Sequence, residues 1–372
     1  MKHVRLGIIG LGVMGQSHAR NILEGKIPRL RLAAVADSDP KRLAHYPGLP
    51  GFATDRELIA SGLVDAVLIA TPHYSHTDTG IAALRAGLHV LVEKPISVQR
   101  ADCERLLAAH TDRRLVFAAM FNQRTDPLYR KLRELVHGGA LGEIRRVQWT
   151  VTNWFRPHCY YGLSAWRATW AGEGGGVLLN QCPHNLDLFS WIFGQPQRVR
   201  GFCSFGKYHD IEVEDDVTAY FELPGGATAT FIASTGEAPG TNRLEVMAEN
   251  GRVVAEGGTL RFTRNRVPTG KFSRTTKLPF SAPPTTERVF TFKDAGGQHV
   301  AIMRNFADAI VRGAPLVAPA AEGIRSVELA NAILLSSWTD KAVELPLDGA
   351  LYARWLKRKI AFSPRSRSTA AR

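Results

Sequence analysis

Three groups of residues in this 372-residue chain have types and spacings that could do chemistry. A glycine-rich hexapeptide runs from Gly10 to Gly15, and backbone without side chains can approach a phosphate closely. Lys94 stands in a Glu-Lys-Pro tripeptide, where its ammonium group could stabilise developing negative charge. His184 offers a proton acceptor whose pKa normally lies near neutrality. These groups can act together only if the strands and helices of the fold bring them to one site.

The first 120 residues alternate buried strands with segments of helical spacing. Continuous apolar runs bounded by Gly, Pro or Asp predict strands at Val4–Ile9, Arg31–Ala36, Asp65–Ala70, His89–Val92 and Leu115–Met120. Helical periodicity predicts helices at Val13–Glu24, Asp55–Ser61, Ser75–Ala86 and Val98–Ala109. This alternation predicts an α/β fold, with an N-terminal Rossmann-type, doubly wound parallel sheet.

The glycine hexapeptide comes directly after the first predicted strand and opens the first predicted helix. In that setting Gly10 makes the tight turn, Gly12 lets backbone approach a pyrophosphate, and Gly15 allows close helix–strand packing. The pyrophosphate then meets the free N–H groups at the start of the helix. The alternative is that these are ordinary turn glycines and that Asp37 is a surface residue. We predict a dinucleotide site.

Asp37 ends the second predicted strand, where its carboxylate can accept both ribose hydroxyl groups of an adenosine. A carboxylate there would repel a 2′-phosphate, so the sequence favours NAD over NADP. Lys41 and Arg42 lie nearby and weaken that preference, so NADP stays possible.

After about residue 121 the pattern changes to strands joined by tight glycine-bearing turns, which is typical of an antiparallel sheet. A helix capped by Asp126 precedes that sheet, a long helix is predicted over Gly174–Phe193, and Val267–Thr286 is predicted to be a surface loop. We therefore predict a dinucleotide domain at 1–123, an α+β domain with a large open sheet at 124–362, and a disordered basic tail at 363–372. Alternating apolar residues on the uncovered sheet face predict a homodimer or homotetramer.

Composition excludes several classes of protein. Hydrophobic residues make up 45% and charged residues 22%, as in packed globular proteins, and no apolar run is long enough to cross a bilayer. The four cysteines show no CxxC pair and no dense spacing, which fits a reducing cytoplasm with free thiols and excludes a disulfide-stapled secreted fold. We expect no metal site. The net charge of +13 is concentrated in residues 261–293 and 354–372, without a nucleic-acid-binding pattern. We expect neither a specific nucleic acid nor a membrane partner.

The predicted helix over Gly174–Phe193 places Asn180, His184 and Asp187 on one face. Such a stripe is often a solvated helix face, and Lys94 could equally be a solvated charge at the end of a strand. Asp187 could fix the imidazole tautomer or pair with a neighbouring helix. The residues alone leave these alternatives open.

The chain resembles the Gfo/Idh/MocA oxidoreductases, the glucose–fructose oxidoreductase and inositol dehydrogenase family. The resemblance covers roughly Val4 to Leu347 and rests on GLGVMG, EKP and GGGVLLNQCPHNLD in this order. It implies that Lys94 and His184 flank the carbon that exchanges hydride with NAD, with Lys94 stabilising the alkoxide and His184 acting as the base. Many members carry Asp where this chain has Asn180, which implies a hydrogen-bonding role for Asn180.

The resemblance also suggests contacts for the cofactor and the substrate. Besides Gly10, Gly12, Gly15 and Asp37, we expect cofactor contacts from Val13, Met14, Thr71, Pro72, His76, Glu93, Lys94 and Asn122. Together with Lys94, Asn180 and His184, we expect substrate contacts from Arg124, Trp154, Tyr161, Trp166 and Arg167.

Four tryptophans fall between Trp149 and Trp170, among tyrosines and arginines. They could form a core or an interface, but aromatic side chains with polar edges also fit the faces of a sugar ring. This stretch looks like the family branch that acts on pyranosides, anhydrosugars such as levoglucosan, and inositols. Two alternatives are a glycosidase that oxidises its substrate transiently with bound NAD, and a non-catalytic sugar sensor of the same fold.

Overall fold

The computed structural model describes residues 3–363, which form two sheets. The parallel sheet has the order β3-β2-β1-β4-β5-β6, and every recorded pairing in it is parallel. Its strands are β1 (Val4–Ile9), β2 (Leu30–Ala36), β3 (Gly51–Phe52), β4 (Ala66–Ile69), β5 (His89–Val92) and β6 (Phe117–Ala119). Its helices are α1 (Val13–Leu23), α2 (Pro40–Leu43), α3 (Asp55–Ala60), α4 (Ser75–Arg85) and α5 (Arg100–Ala108). The predicted Rossmann-type sheet is confirmed.

The second sheet has nine strands in the order β14-β13-β12-β11-β7-β10-β9-β8-β15. They are β7 (Ile144–Val151), β8 (Arg198–Phe205), β9 (Glu214–Glu222), β10 (Thr228–Ser234), β11 (Asn242–Ala248), β12 (Gly251–Glu256), β13 (Thr259–Asn265), β14 (Thr285–Thr291) and β15 (Val343–Glu344). Only the pairing of β7 with β10 is parallel among the described strands of this sheet. The prediction of a mainly antiparallel sheet is therefore confirmed.

Seven α-helices follow β6 along the chain in the described range: α6 (Pro127–His137), α7 (His158–Tyr161), α8 (Pro183–Phe193), α9 (Thr269–Thr275), α10 (Gln298–Arg312), α11 (Ala320–Thr339) and α12 (Gly349–Phe362). As predicted, Asp126 caps α6 by accepting a hydrogen bond from the Leu128 N–H at 2.8 Å. Gly201 in β8 lets α11 approach closely, because a Cβ there would lie 2.4 Å from the Ile333 carbonyl oxygen. Helix α11 therefore packs closely against one face of the second sheet.

The core around the parallel sheet draws on residues far along the chain. Ile302, Met303 and Phe306 of α10 are buried among side chains of the first five strands and their helices. The Ala119 N–H of β6 donates to the Ala318 carbonyl at 3.0 Å. The chain therefore returns to the first sheet just before α11, which joins the two sheets on one side of the cleft between them.

Two expectations about the second domain are wrong. The segment Gly174–Phe193 is not one helix: residues 176–182 form successive turns, and α8 begins only at Pro183. The uncovered sheet face is not mainly apolar. Its exposed positions are mostly Thr, Arg and Glu, with a few rings such as Phe202 and Tyr220, because most of the apolar residues of the strands face the helices.

Some elements were not predicted. The segment 267–286 holds the short helix α9 and the start of β14, and α12 and the two-residue strands were missed. The predicted disordered tail at 363–372 lies outside the described residues except for Ser363. No helix within residues 3–363 has the length and apolarity that a membrane span requires.

Candidate active site

The glycine loop has the geometry that its spacing predicts. Gly10 adopts a positive φ of 91°, and a Cβ there would lie 2.7 Å from the Ala70 carbonyl oxygen. A Cβ on Gly15 would lie 1.8 Å from the Gly10 carbonyl oxygen, whereas one on Gly12 would meet no atom within 4 Å. No side chain caps the start of α1 at Gly12. The first N–H groups of this helix, including those of Val13 and Met14, therefore face open space that suits a pyrophosphate.

Asp37 is buried at the end of β2 and holds the glycine loop in place. Its carboxylate accepts hydrogen bonds from the Leu11 N–H at 2.6 Å and from the Asp39 N–H at 2.9 Å. Arg42 Nη1 also lies 3.3 Å from an Asp37 oxygen. The charge expected to face the adenosine ribose is therefore partly balanced by a neighbouring guanidinium.

Three further cofactor candidates line the carboxyl edge of the parallel sheet. The Oγ1 of Thr71 and the Oδ1 of Asn122 are buried and have no hydrogen-bond partner within residues 3–363. Pro72 directly follows Thr71 after β4. Buried polar atoms normally have partners, so these two oxygens fit a site for a polar ligand such as a dinucleotide.

The His76 side chain connects two loops at the carboxyl edge of the parallel sheet. It is buried, and its two ring nitrogens each lie 2.8 Å from a carbonyl oxygen, one of Pro95 and one of Thr71. The ring therefore joins the loop after β4 to the loop after β5, and its contact with the cofactor stays a prediction.

Glu93 is likewise held by contacts within the protein. His18 Nε2 of α1 donates to Glu93 Oε1 at 2.7 Å, with both side chains buried. Burial alone would raise the pKa of Glu93, but the His18 hydrogen bond and charge lower it to about 2. A second carboxylate oxygen accepts from the Lys94 N–H at 3.1 Å. His18 was missed by sequence reasoning, although a histidine on the sheet-facing side of α1, three residues after Gly15, was a usable signal.

Lys94 points across the cleft to the second domain. Its Nζ donates to the Asn180 carbonyl oxygen at 2.8 Å. Burial lowers the pKa of Lys94, while the carboxylates of Glu93 and Glu173 oppose that shift. A lysine held in this way is an oriented cation rather than a solvated strand-end charge.

His184 occupies the first turn of α8 and is only 8% exposed. Its Nδ1 has no partner in the described part of the chain, and its ring meets Phe121 edge-on at 6.3 Å between centroids. Burial, and next the charge of Lys94, lower its pKa well below the usual value. The imidazole is therefore neutral at physiological pH and able to accept a proton.

Asn180 lies in the turn before α8, beside a carboxylate that sequence reasoning missed. Its Nδ2 donates to Glu173 Oε1, and Tyr160 Oη lies 3.4 Å from its Oδ1. Glu173 is 2% exposed and stands directly before the three glycines 174–176. The signal available in the sequence was an acidic residue directly before a run of three glycines.

Arg124 and Asp187 are not at the cleft surface. They form a bidentate ion pair with each other, and Arg124 also pairs with Glu322. The guanidinium is held in these ion pairs, and the expected contact of Arg124 with substrate stays a prediction. Of the two alternatives for Asp187, the structure shows the ion pair and not a contact with the imidazole.

The aromatic cluster divides into a core part and a cleft part. Trp149 and Trp170 are buried in the core of the second domain. Arg167 stacks 4.6 Å from the Tyr160 ring centre and donates to its hydroxyl at 2.7 Å. The remaining candidates are half-buried: Trp154 near Asn185, Tyr161 bonded to Thr235, and Trp166 edge-on to His73. They form an aromatic wall next to Asn180.

Residues 3–363 contain no group of three or more His, Cys, Asp or Glu side chains placed to hold a metal ion. What the arrangement offers is a dinucleotide loop, an oriented lysine and a neutral imidazole facing one cleft.

Comparison with known proteins agrees with this arrangement. Residues 4–121 match the oxidoreductase family with an NAD-binding Rossmann fold, and residues 129–254 match the GFO/IDH/MocA C-terminal domain. The inositol 2-dehydrogenase of Rhizobium meliloti is 26% identical over 341 residues, covering 90% of this chain and 96% of that protein. The myo-inositol 2-dehydrogenase of Thermotoga maritima is 28% identical over 265 residues, covering 68% and 75%.

Solved structures are also similar. The WlbA dehydrogenase of Chromobacterium violaceum in complex with NADH and UDP-GlcNAcA is 25% identical, with a TM-score of 0.81, covering 94% of this chain and 97% of that one. A levoglucosan dehydrogenase in complex with NADH and levoglucosan shares the fold, with a TM-score of 0.78 at 20% identity and coverage of 93% and 100%. The chain belongs to the Gfo/Idh/MocA family and is an NAD-binding oxidoreductase that acts on CH–OH groups.

Proposed function

We propose that this protein oxidises a secondary hydroxyl group of a sugar, an anhydrosugar or a cyclitol, with NAD as the hydride acceptor. Support comes from the kinds of relatives it has, which include inositol dehydrogenases, and from the aromatic wall beside Asn180. Flat aromatic faces pack on the C–H faces of a ring, while neighbouring polar edges bind its hydroxyl groups.

The observation that carries the proposal is the joint position of Lys94 and His184. Lys94 follows strand β5 of the parallel sheet and His184 lies on helix α8, yet the Lys94 ammonium reaches the carbonyl of Asn180, four residues before His184. Its charge is also close enough to lower the pKa of the imidazole. A cation and a neutral base side by side are what removal of a hydride and a proton from an alcohol requires.

Bound NAD would accept the hydride. The glycine loop and Asp37 would hold its adenosine end, and Asn122 and Thr71 would supply polar atoms nearer the cleft. Lys94 would donate a hydrogen bond to the substrate oxygen and stabilise the charge that develops as the proton leaves. His184 would accept that proton, since it is held unprotonated. Asn180 would keep the Lys94 ammonium in the right position relative to the substrate oxygen.

A substrate panel tests this function. Purified protein with NAD would be incubated with myo-inositol, levoglucosan, common pyranoses, a UDP-activated uronate and alkyl glycosides, while NADH absorbance and product release are followed. NADH formation with a ring polyol supports the proposal. Product release from glycosides without net NADH would favour the glycosidase alternative, and ligand binding without either would favour a sensor.

We also propose a cytoplasmic homodimer or homotetramer that associates through the uncovered face of the nine-stranded sheet. The exposed rings of Phe202 and Tyr220 on that face, among threonines and paired charges, are suited to a mixed polar interface. Light scattering at micromolar concentration tests the association. A monomer would contradict it, and Phe202→Glu should weaken an oligomer formed through this face.

A further inference from the structure

We infer that Glu173 is a positioning residue of the active site: its carboxylate supplies negative charge behind Asn180, and through Asn180 it holds the Lys94 ammonium in place. The inference deepens the proposed function and rests on it for the identity of the reaction. Its central evidence is a set of contacts that involves no bound ligand.

The surroundings of Glu173 consist of donors. Oε2 accepts from the Ala168 N–H at 2.7 Å, and Oε1 accepts from Asn180 Nδ2. Arg167 Nη1 lies 3.8 Å from Oε1. Burial raises the pKa of Glu173, while the Ala168 and Asn180 hydrogen bonds and the charges of Arg167 and Lys94 act to lower it. Because every recorded neighbour of the carboxyl oxygens is a donor or a cation, the hydrogen bonds fit the ionised form, which only accepts.

The carboxylate also shapes the loop that carries the aromatic wall. Ala168 adopts a positive φ of 54°, a backbone conformation that is unfavourable for a residue other than glycine. Its N–H points at Glu173, so the hydrogen bond holds this unfavourable turn between Arg167 and Trp170. The Glu173 carbonyl in turn lies 3.1 Å from His73 Nδ1, which connects the loop to the dinucleotide domain.

A single residue, Asn180, connects Glu173 to Lys94. Asn180 uses its side-chain amide for Glu173 and its main-chain carbonyl for Lys94 Nζ, so one residue joins the carboxylate to the ammonium. Without Glu173, the side-chain amide of Asn180 would lose its hydrogen-bond acceptor. Of the two carboxylates that raise the pKa of Lys94, only Glu93 would then remain. Lys94 would then be held less firmly and would lose its proton more readily.

The contact between Glu173 and Asn180 allows a charge swap. Exchanging acid and amide in Asn180→Asp/Glu173→Gln keeps a carboxylate–amide pair but moves the charge across the contact. Glu212→Gln is a matched control: Glu212 likewise accepts an N–H from this loop, that of Trp170 at 2.6 Å, but it does not appear among the charges acting on Lys94.

The first measurement needs no substrate. Lysines of the full chain would be dimethylated with ¹³C-formaldehyde, the Lys94 signal assigned by its loss in Lys94→Arg, and its pKa read from the chemical shift in the presence and absence of NAD. The charged or titratable groups that face Lys94 are Glu93, Glu173, Arg167 and Cys182, with His73, His76, His184 and His299 near by.

We expect Glu173→Gln to lower the Lys94 pKa by about one unit or more, the effect of one charge at this range. The charge-swap variant should restore it to within about half a unit, and Glu212→Gln should leave it in place. Should Glu173→Gln fail to fold, Glu173→Asp still decides, because it draws the charge back from Asn180 by one methylene and should lower the Lys94 pKa by a smaller amount. An unchanged Lys94 pKa in Glu173→Gln, or in Glu173→Asp where only that variant folds, overturns the inference.

The second measurement uses an alcohol that the substrate panel identifies. Glu173→Gln should lower kcat by roughly tenfold to a hundredfold with a smaller change in KM, and the charge swap should recover most of that loss. Loss of kcat in Glu173→Gln without recovery in the charge swap would assign Glu173 a purely structural role. If no alcohol reduces NAD but the Lys94 pKa shifts as expected, the proposed function fails and the positioning role of Glu173 stands.

Discussion

Arg124 and Asp187 form a bidentate ion pair between the end of the dinucleotide domain and the helix that carries His184. Arg124 Nε lies 2.8 Å from Asp187 Oδ2, Nη2 lies 2.6 Å from Oδ1, and the two side chains are 2% and 1% exposed. Arg124 follows β6 through a short 3₁₀ turn, and Asp187 lies one turn beyond His184. The pair therefore fixes α8, and the imidazole with it, relative to the cofactor sheet.

Removing Asp187 should destabilise the protein more than it changes the chemistry. Asp187→Ala leaves the Arg124 guanidinium buried beside Glu322 alone, so we expect a loss of about 3–5 kcal/mol in the free energy of unfolding, the usual cost of breaking a buried pair. Urea unfolding measures it. Arg124→Met/Asp187→Leu, which removes both charges, should lose less. If Asp187→Ala kept full stability but lost turnover, Asp187 would act on the imidazole after all.

Lys94 and His184 should affect turnover without affecting NAD binding. We expect Lys94→Ala and His184→Ala each to lower kcat by roughly 10²–10⁴, since each removes a positioned acid–base or electrostatic group. The double variant should lose less than the two losses combined, because the residues act as one unit. NADH fluorescence titration should show unchanged affinity, since the glycine loop and Asp37 are intact. Wild-type turnover in either single variant would remove that residue from the mechanism.

Asp37 and Arg42 should together decide the choice of cofactor. With Asp37 present we expect NAD to be preferred over NADP by at least roughly tenfold in kcat/KM, or about 1.4 kcal/mol. Asp37→Ser should free the Arg42 guanidinium, now 3.3 Å from the carboxylate, to bind a 2′-phosphate and so reverse the preference. Asp37→Ser/Arg42→Ala should lose that gain. Equal use of both cofactors by the unaltered protein would contradict the assignment.

Glu214 should make stability depend on pH. It is fully buried and accepts the N–H groups of Gly176 at 2.8 Å and Leu178 at 3.0 Å, while its Oε2 has no partner in the described range. Burial raises its pKa from 4.5 to about 7, so the folded state prefers the protonated acid. Its contribution to stability is complete below pH 4.5 and is lost as the pH rises through 7, by about 3 kcal/mol.

Glu214→Gln should remove this pH dependence, because the amide keeps a carbonyl acceptor for both N–H groups and does not ionise. The measurement is the change in urea midpoint between pH 5 and pH 8, compared for the two proteins. Parallel changes in both would show that Glu214 ionises in the folded state as easily as in the unfolded one.

Local patterns in the sequence were enough to predict both sheets, the glycine loop and Asp37, whereas the roles of Lys94 and His184 were predicted from the resemblance to the family. Strands buried on both faces need continuous apolar runs, and the tight turn at Gly10 needs a residue that tolerates positive φ, so the sequence displays both directly. Even the cap at Asp126 could be predicted, because its partner lies two residues away.

Only the tertiary structure decided the partners of buried polar groups. His18 meets Glu93 from 75 residues away, Arg124 meets Asp187 from 63, and Lys94 meets Asn180 from 86. No periodicity encodes such pairs, because each depends on which elements pack together and on the need of a buried charge for a partner. For this reason Glu173 was missed, and so was the ion pair of Arg124 with Asp187. The residue types of the site could be predicted from the sequence, but their connections required the fold.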